Sequence, residues 1–237
     1  PAPAPAPAPG PAPSSDLELG IRDNLSSDNY KTTCYLNAPL ISLLAFKNSQ
    51  VNKQLFSNDG TIKATYNENT CNNTSEILKL LKNVYKDLVD PKSNKHYDEW
   101  PFGNLFELIH PDCSTLGLAS GETIGSYGEG LTSLDYLLRV IYSNDINKYS
   151  HREIFIFEQQ NNNIEYIQNE IKKEINSKSN PEVIVVGVHK EMILNGPLLP
   201  KISNLNIQGY KVLAIIVYKS SHYTSFLNDG KKKLYFD

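Results

Sequence analysis

Cys34-Tyr35-Leu36-Asn37-Ala38-Pro39-Leu40-Ile41-Ser42-Leu43-Leu44-Ala45-Phe46 decides the fold. From Leu36 to Phe46 the apolar residues follow helical spacing, and the polar stretch Lys47–Asn73 after them reads as a loop. Pro39 limits where the helix can begin. Its ring and missing N–H are tolerated in a first turn, which places the start at about Tyr35 or Leu36. A second helix is expected from Ser75 to Val89, where Ile77, Leu80, Leu81, Val84, Tyr85 and Leu88 lie on one face and Asn73 with Glu76 has capping-box spacing. Residues 91–130, rich in Pro, Gly and Ser, read as loop; Leu131–Tyr142 resumes helical spacing and Asn163–Lys178 is a charged amphipathic helix.

The character changes at Pro181. Val183–Val188 and Lys211–Tyr218 are β-branched runs bounded by Pro, Asn and Gly, and His222–Leu227 and Lys233–Phe236 flank the turn signal Asn228-Asp229-Gly230. Residues 222–237 therefore read as a hairpin. Helices first and strands second indicate an α+β arrangement.

Residues 1–13 alternate Pro and Ala around one Gly and hold seven of the 14 prolines, so the segment 1–15 reads as a polyproline-II spacer and 16–237 as the folded domain. Position 1 is not Met and the only Met is Met192, which points to a module of a larger polypeptide whose fold begins near Asp16. A charged n-region followed by an apolar h-region is not visible, so no secretory signal is read. With 23 Lys+Arg against 26 Asp+Glu and no basic cluster beyond Lys231-Lys232-Lys233, the chain has no footprint for tracking nucleic acid. The apolar runs are far shorter than the ~18–20 residues of a membrane span. Cys34, Cys71 and Cys113 are an odd set without C-x-x-C spacing, and the five histidines are scattered. Neither a disulfide framework nor a metal or other cofactor site is encoded, and a cytoplasmic or other reducing intracellular compartment is expected.

Cys34 stands at a predicted helix N-terminus, where the positive end of the helix dipole stabilises a thiolate. It is either a nucleophile or an inert buried thiol. His222 opens a predicted strand, and the turn returns the chain to Tyr235-Phe236-Asp237. If the two strands pair, the Asp237 carboxylate is placed to orient the imidazole, leaving the other ring nitrogen to take a thiol proton. Read alone, a histidine near a turn is structural; together the three residues suggest nucleophilic catalysis.

Asn29-x-x-x-Thr33-Cys34-Tyr35-Leu36-Asn37 resembles the cysteine box of the ubiquitin-specific proteases, N-x-G-N-T-C-Y-[LM]-N-[SA]. His222-Tyr223-Thr224 followed by Tyr235-Phe236-Asp237 is similar to that family's histidine box. Pro181–Lys190 and Gly209–Val217 resemble its palm strands, so the likeness spans most of residues 28–237 and is strong at the two ends. The resemblance implies a papain-like cysteine peptidase with a helical thumb and an antiparallel β palm. It implies Cys34 as nucleophile, His222 as general base, Asp237 as orienting acid, Asn29 as oxyanion donor and Tyr223 as a substrate-binding residue. The implied partner is ubiquitin or a similar modifier, cleaved after its C-terminal Gly-Gly.

Several positions depart from the pattern. Tyr30-Lys31-Thr32 replaces the small, Gly-containing stretch that shapes the oxyanion loop. The family's Q-Q-D-A-x-E-F-L box is matched faintly by Leu131–Leu138, the zinc knuckles are absent, and Asn144–Pro181 is too short for a full finger lobe. Two rival readings follow: a weak or inactive modifier-binding module, and a papain-like amide hydrolase or transferase acting on another substrate.

Overall fold

The computed structural model describes residues 18–19, 34–60, 74–90, 92, 130–156, 164–177, 181–190, 198–219, 222–229 and 232–236. Helix α1, Cys34–Leu44, is apolar on all sides: Leu36, Leu40, Ile41, Leu43 and Leu44 are all buried, and so are Asn37 and Ser42. Such a helix needs partners all round. It lies between helix α4, Gly130–Ile141, and a three-stranded antiparallel sheet of β7 (Ala214–Lys219), β8 (His222–Asn228) and β9 (Lys233–Phe236).

Because α1 starts at Cys34, Pro39 falls in the second turn, later than the sequence suggests. There it denies the Tyr35 carbonyl its helical donor. An interior proline costs about 3 kcal/mol, whereas each fully buried Leu or Ile contributes about 1.5–3 kcal/mol. The packing of Leu40, Ile41 and Leu44 therefore decides the conformation.

The expected loop 47–73 contains a further helix. After the short strand β2 (Phe46–Lys47), which pairs with β1 (Glu18–Leu19), Asn48 takes a φ of 59° and Ser49 caps helix α2, Gln50–Ser57, by accepting from the Asn52 amide at 3.1 Å. Helix α2 braces its neighbours. Asn52 Nδ2 donates to the Leu44 and Phe46 carbonyls, while Asn58, just past its end, donates to the Ile141 carbonyl at 2.8 Å and to Ser143 Oγ at 3.2 Å. The ends of α1 and α4 thus have their orphan carbonyls satisfied by one short element. Helix α3, Thr74–Val89, matches its expected span and buries Ile77, Leu78, Leu81, Val84 and Leu88; Leu80 and Tyr85 are only partly buried.

The separation into helices then strands does not hold. Strand β3, Tyr149–Ile156, precedes helix α5, Ile164–Ser177, and pairs in parallel with β4, Val183–Lys190, so these elements form a β-α-β unit beside the antiparallel sheet. The antiparallel expectation is corrected to that extent, while the mixed α+β class stands. Alternation explains the unit. Ser150, Arg152 and Ile154, with Ile184, Val186 and Val188 opposite them, face α5; Tyr149, Val183 and Val185 face the main core. Arg152 bonds Glu170 at 2.7 Å and Ser150 bonds Glu174, so polar residues fill strand positions that an apolar pattern would have marked.

The run 211–218 is likewise two strands. Helix α6, Leu198–Ser203, precedes a small hairpin of β5 (Asn206–Ile207) and β6 (Tyr210–Lys211), whose turn places Gln208 at φ 51° and Gly209 at φ 90°, as a type I′ turn requires. At the break before β7, the Leu213 carbonyl accepts from the Asn228 amide at 2.8 Å. The β8–β9 hairpin is present, with Phe236 opposite Ser225 and Lys233 opposite Asn228.

Candidate active site

Cys34 is the first residue of α1 and His222 the first residue of β8. Cys34 is a free thiol at intermediate exposure, and His222 is also half-buried. Helix α1 packs directly on β7 and β8, so the two elements carrying these residues are neighbours in space although far apart in sequence.

The contact is specific. Ser225 Oγ donates to the Ala38 carbonyl at 2.9 Å and accepts from Ser42 Oγ at 3.0 Å, all within a buried interface. Alternation along β8 turns Tyr223, Ser225 and Leu227 toward α1 and the main core, and groups His222 with Thr224 and Phe226. Tyr223 packs against the core and against Tyr218, with ring centroids 4.7 Å apart.

Strand β9 runs antiparallel to β8, so its Phe236 end approaches the His222 end of the hairpin. Asp237 and Asn29 lie outside the described residues, as do Cys71, Cys113, His96 and His110. Asp229 is at the opposite end, where its carboxylate accepts from the Lys232 amide in the turn.

The sequence reading missed Ser42 and Ser225. A small polar residue at an inward strand position between Tyr223 and Leu227 is the signal that could have found Ser225. It also missed a polar cluster joining α4 to β3. Asp135 accepts from Arg139 Nε at 2.6 Å and from the Tyr149 hydroxyl, and its Oδ1 is 3.1 Å from His151 Nδ1. Burial alone would raise the Asp135 carboxyl, but hydrogen bonds from His151 and Tyr149 and the Arg139 charge outweigh it and hold the group below the usual carboxylate range. Among the described residues the buried Tyr142 hydroxyl has no hydrogen-bond partner, and burial followed by the Glu182 charge pushes it upward.

Among the described residues, no group of three or more His, Cys, Asp or Glu could hold a metal ion, and no helix is long and apolar enough to cross a membrane. Comparison of the chain with protein-family models, curated proteins and solved structures finds no match.

Proposed function

We propose that this chain is a papain-like, thiol-dependent hydrolase of the ubiquitin-specific-protease type, acting on ubiquitin or a similar modifier in a reducing compartment. The observation that carries the reading is the placement of Cys34 at the start of a helix laid on the strand that begins with His222. The cysteine and histidine boxes supply the motif context.

In this reading the Cys34 thiolate attacks the carbonyl carbon after the modifier's terminal glycine. Protonated His222 gives its proton to the departing lysine amine, and the thioester remains. Neutral His222 then takes a proton from water, whose oxygen attacks the thioester and expels the thiolate. Asn29 donates to the developing oxyanion, a role whose loss in comparable hydrolases costs roughly 10²–10³ in rate, Asp237 orients the imidazole, and Tyr223 lies beside the bound tail.

The test is a ubiquitin derivative carrying a C-terminal electrophile. The expected result is one adduct per chain, mapped to Cys34; no adduct under conditions where ubiquitin binds would overturn the reading. The replacement of the small, Gly-containing oxyanion stretch by Tyr30-Lys31-Thr32 favours a second reading, a module that holds a modifier without cleaving it. That module would bind ubiquitin and leave the probe unreacted.

A further inference from the structure

Among the described residues, strand β9 pairs with β8 alone and forms one edge of the β7-β8-β9 sheet. The turn fixes which way its backbone groups point. The Asp229 amide donates to the Lys232 carbonyl at 3.2 Å, and in an antiparallel ladder a bonded pair of this kind alternates with pairs that exchange no bond. Asn228 and Lys233 are a pair of the second kind, and the Asn228 amide turns to the other side, to the Leu213 carbonyl at 2.8 Å. Tyr235, opposite Phe226, repeats the arrangement two residues on. The N–H and C=O groups of Lys233 and Tyr235 therefore point away from β8, out of the sheet edge.

The side chains along that edge are open as well. Leu234, opposite the fully buried Leu227, is 39% exposed on the α1 face, and Tyr235 is 64% exposed on the opposite face. Lys232 and Lys233, the end of the chain's one run of three basic residues, are exposed at the start of the strand, where Asp229 accepts from the Lys232 amide. Natural sheets blunt an edge with charge or proline, or cover it. Here the charge stands at one end, and the outward amide of Tyr235 lies among apolar side chains.

We propose that the β9 edge docks an extended acidic peptide of another protein, which adds as a fourth, antiparallel strand and sets Asp or Glu side chains against Lys232 and Lys233. A lipid headgroup could answer the lysines, but only another extended backbone offers donors and acceptors at the spacing of Lys233 and Tyr235. Antiparallel addition continues the existing ladder and orders the bound segment. Its β-branched residues lie beside Tyr235 and Leu234, and its acidic residues follow them. The site takes no part in the Cys34 chemistry proposed above.

The test titrates the full chain into a dye-labelled Thr-Val-Thr-Val-Glu-Glu peptide, read by fluorescence anisotropy, beside its Thr-Val-Thr-Val-Lys-Lys counterpart. The acidic peptide is expected to bind, and the basic one at least about fivefold more weakly. Lys232→Glu combined with Lys233→Glu should reverse that order. Methylation of the peptide's backbone nitrogens separates strand addition from charge attraction, because only alternate amides of an added strand face β9. Methyl groups on one alternate set should abolish binding, and on the other set should leave it nearly unchanged. Tyr235→Pro deletes an outward amide without touching the bonds to β8 and should abolish binding, whereas Tyr235→Ala should only weaken it. Should Tyr235→Pro not fold, the methylated peptides carry the test on the unaltered chain. No binding of the acidic peptide, equal binding of the two charge forms, or equal effects of the two methylation patterns would each overturn the proposal. So would binding to phosphatidylserine vesicles with none to the peptide.

Discussion

Asp135 on α4 and His151 on β3 face each other at 3.1 Å between carboxylate oxygen and Nδ1, and this contact, with the Tyr149 hydroxyl on the same carboxylate, joins the helical layer to the β-α-β unit. The strand contributes Tyr149 and His151 from one face while Ser150 and Arg152 turn to α5. β3 is thus held by polar contacts on both sides.

Asp135→Asn should destabilise the fold at pH 7 by about 2–4 kcal/mol, the cost of removing one partner from a buried charged network. A carboxyl held below its unfolded value near ~3.9 stabilises the fold above that pH, and the contribution is lost as pH falls through the folded value. Urea unfolding of both forms at pH 7 and pH 3 should therefore show a gap that narrows in acid. A gap of the same size at both pH values would contradict the depressed carboxyl.

Cys34→Ala should abolish isopeptide cleavage and leave the melting temperature within a few degrees of wild type. The thiol is partly exposed at a helix start, so its removal forfeits little burial, about 1 kcal/mol or less. Turnover by the alanine form would end the nucleophile assignment; a collapsed melting temperature would make Cys34 a packing residue.

Asp237→Ala should lower turnover strongly while preserving reaction with the ubiquitin electrophile, because an orienting carboxylate sets the imidazole tautomer and does not attack the carbonyl. Asp229→Ala should leave turnover intact, since Asp229 sits at the turn end of the hairpin, away from His222. The reverse ranking would reassign the third catalytic residue.

Asn58→Ala should cost about 2 kcal/mol by stripping the Ile141 carbonyl and Ser143 hydroxyl of a donor. Hydrogen exchange should rise first in α2 and in the last turn of α4. Protection lost evenly through the whole chain, with no local onset, would argue against α2 as a brace.

Helix α3, which buries apolar side chains at regular intervals, falls within a residue of its expected span; β9, whose Leu234 and Tyr235 are exposed, was legible instead from the turn signal before it, and the hairpin turn lies at Asp229. The reading failed where polar partners replace apolar ones. β3 reads Tyr-Ser-His-Arg-Glu-Ile-Phe-Ile and shows no alternation because its inward positions meet Asp135, Glu170 and Glu174. Helix α2 is short and mostly polar; its buried Val51 and Leu55 four residues apart, behind the Ser49 cap, were the only cue. For the candidate site, motif and spacing singled out Cys34 and His222, and each does begin its element, whereas Ser225 was hidden because a lone inward serine gains meaning only once its partners Ala38 and Ser42 are beside it.

Ser42 and Ser225 are 183 residues apart, so α1 leaves the ribosome well before the strand that covers it. At roughly 5–20 residues per second, that interval is on the order of 10–40 s. Early in it only α2 of the elements packed on α1 has been made, and Gly130–Ile141 follows later, so a helix this apolar must be shielded by these in turn or by a chaperone. Nascent chains stopped before β8 should bind holdases and aggregate, and closure of α1 onto the hairpin should be a late, slow event in folding.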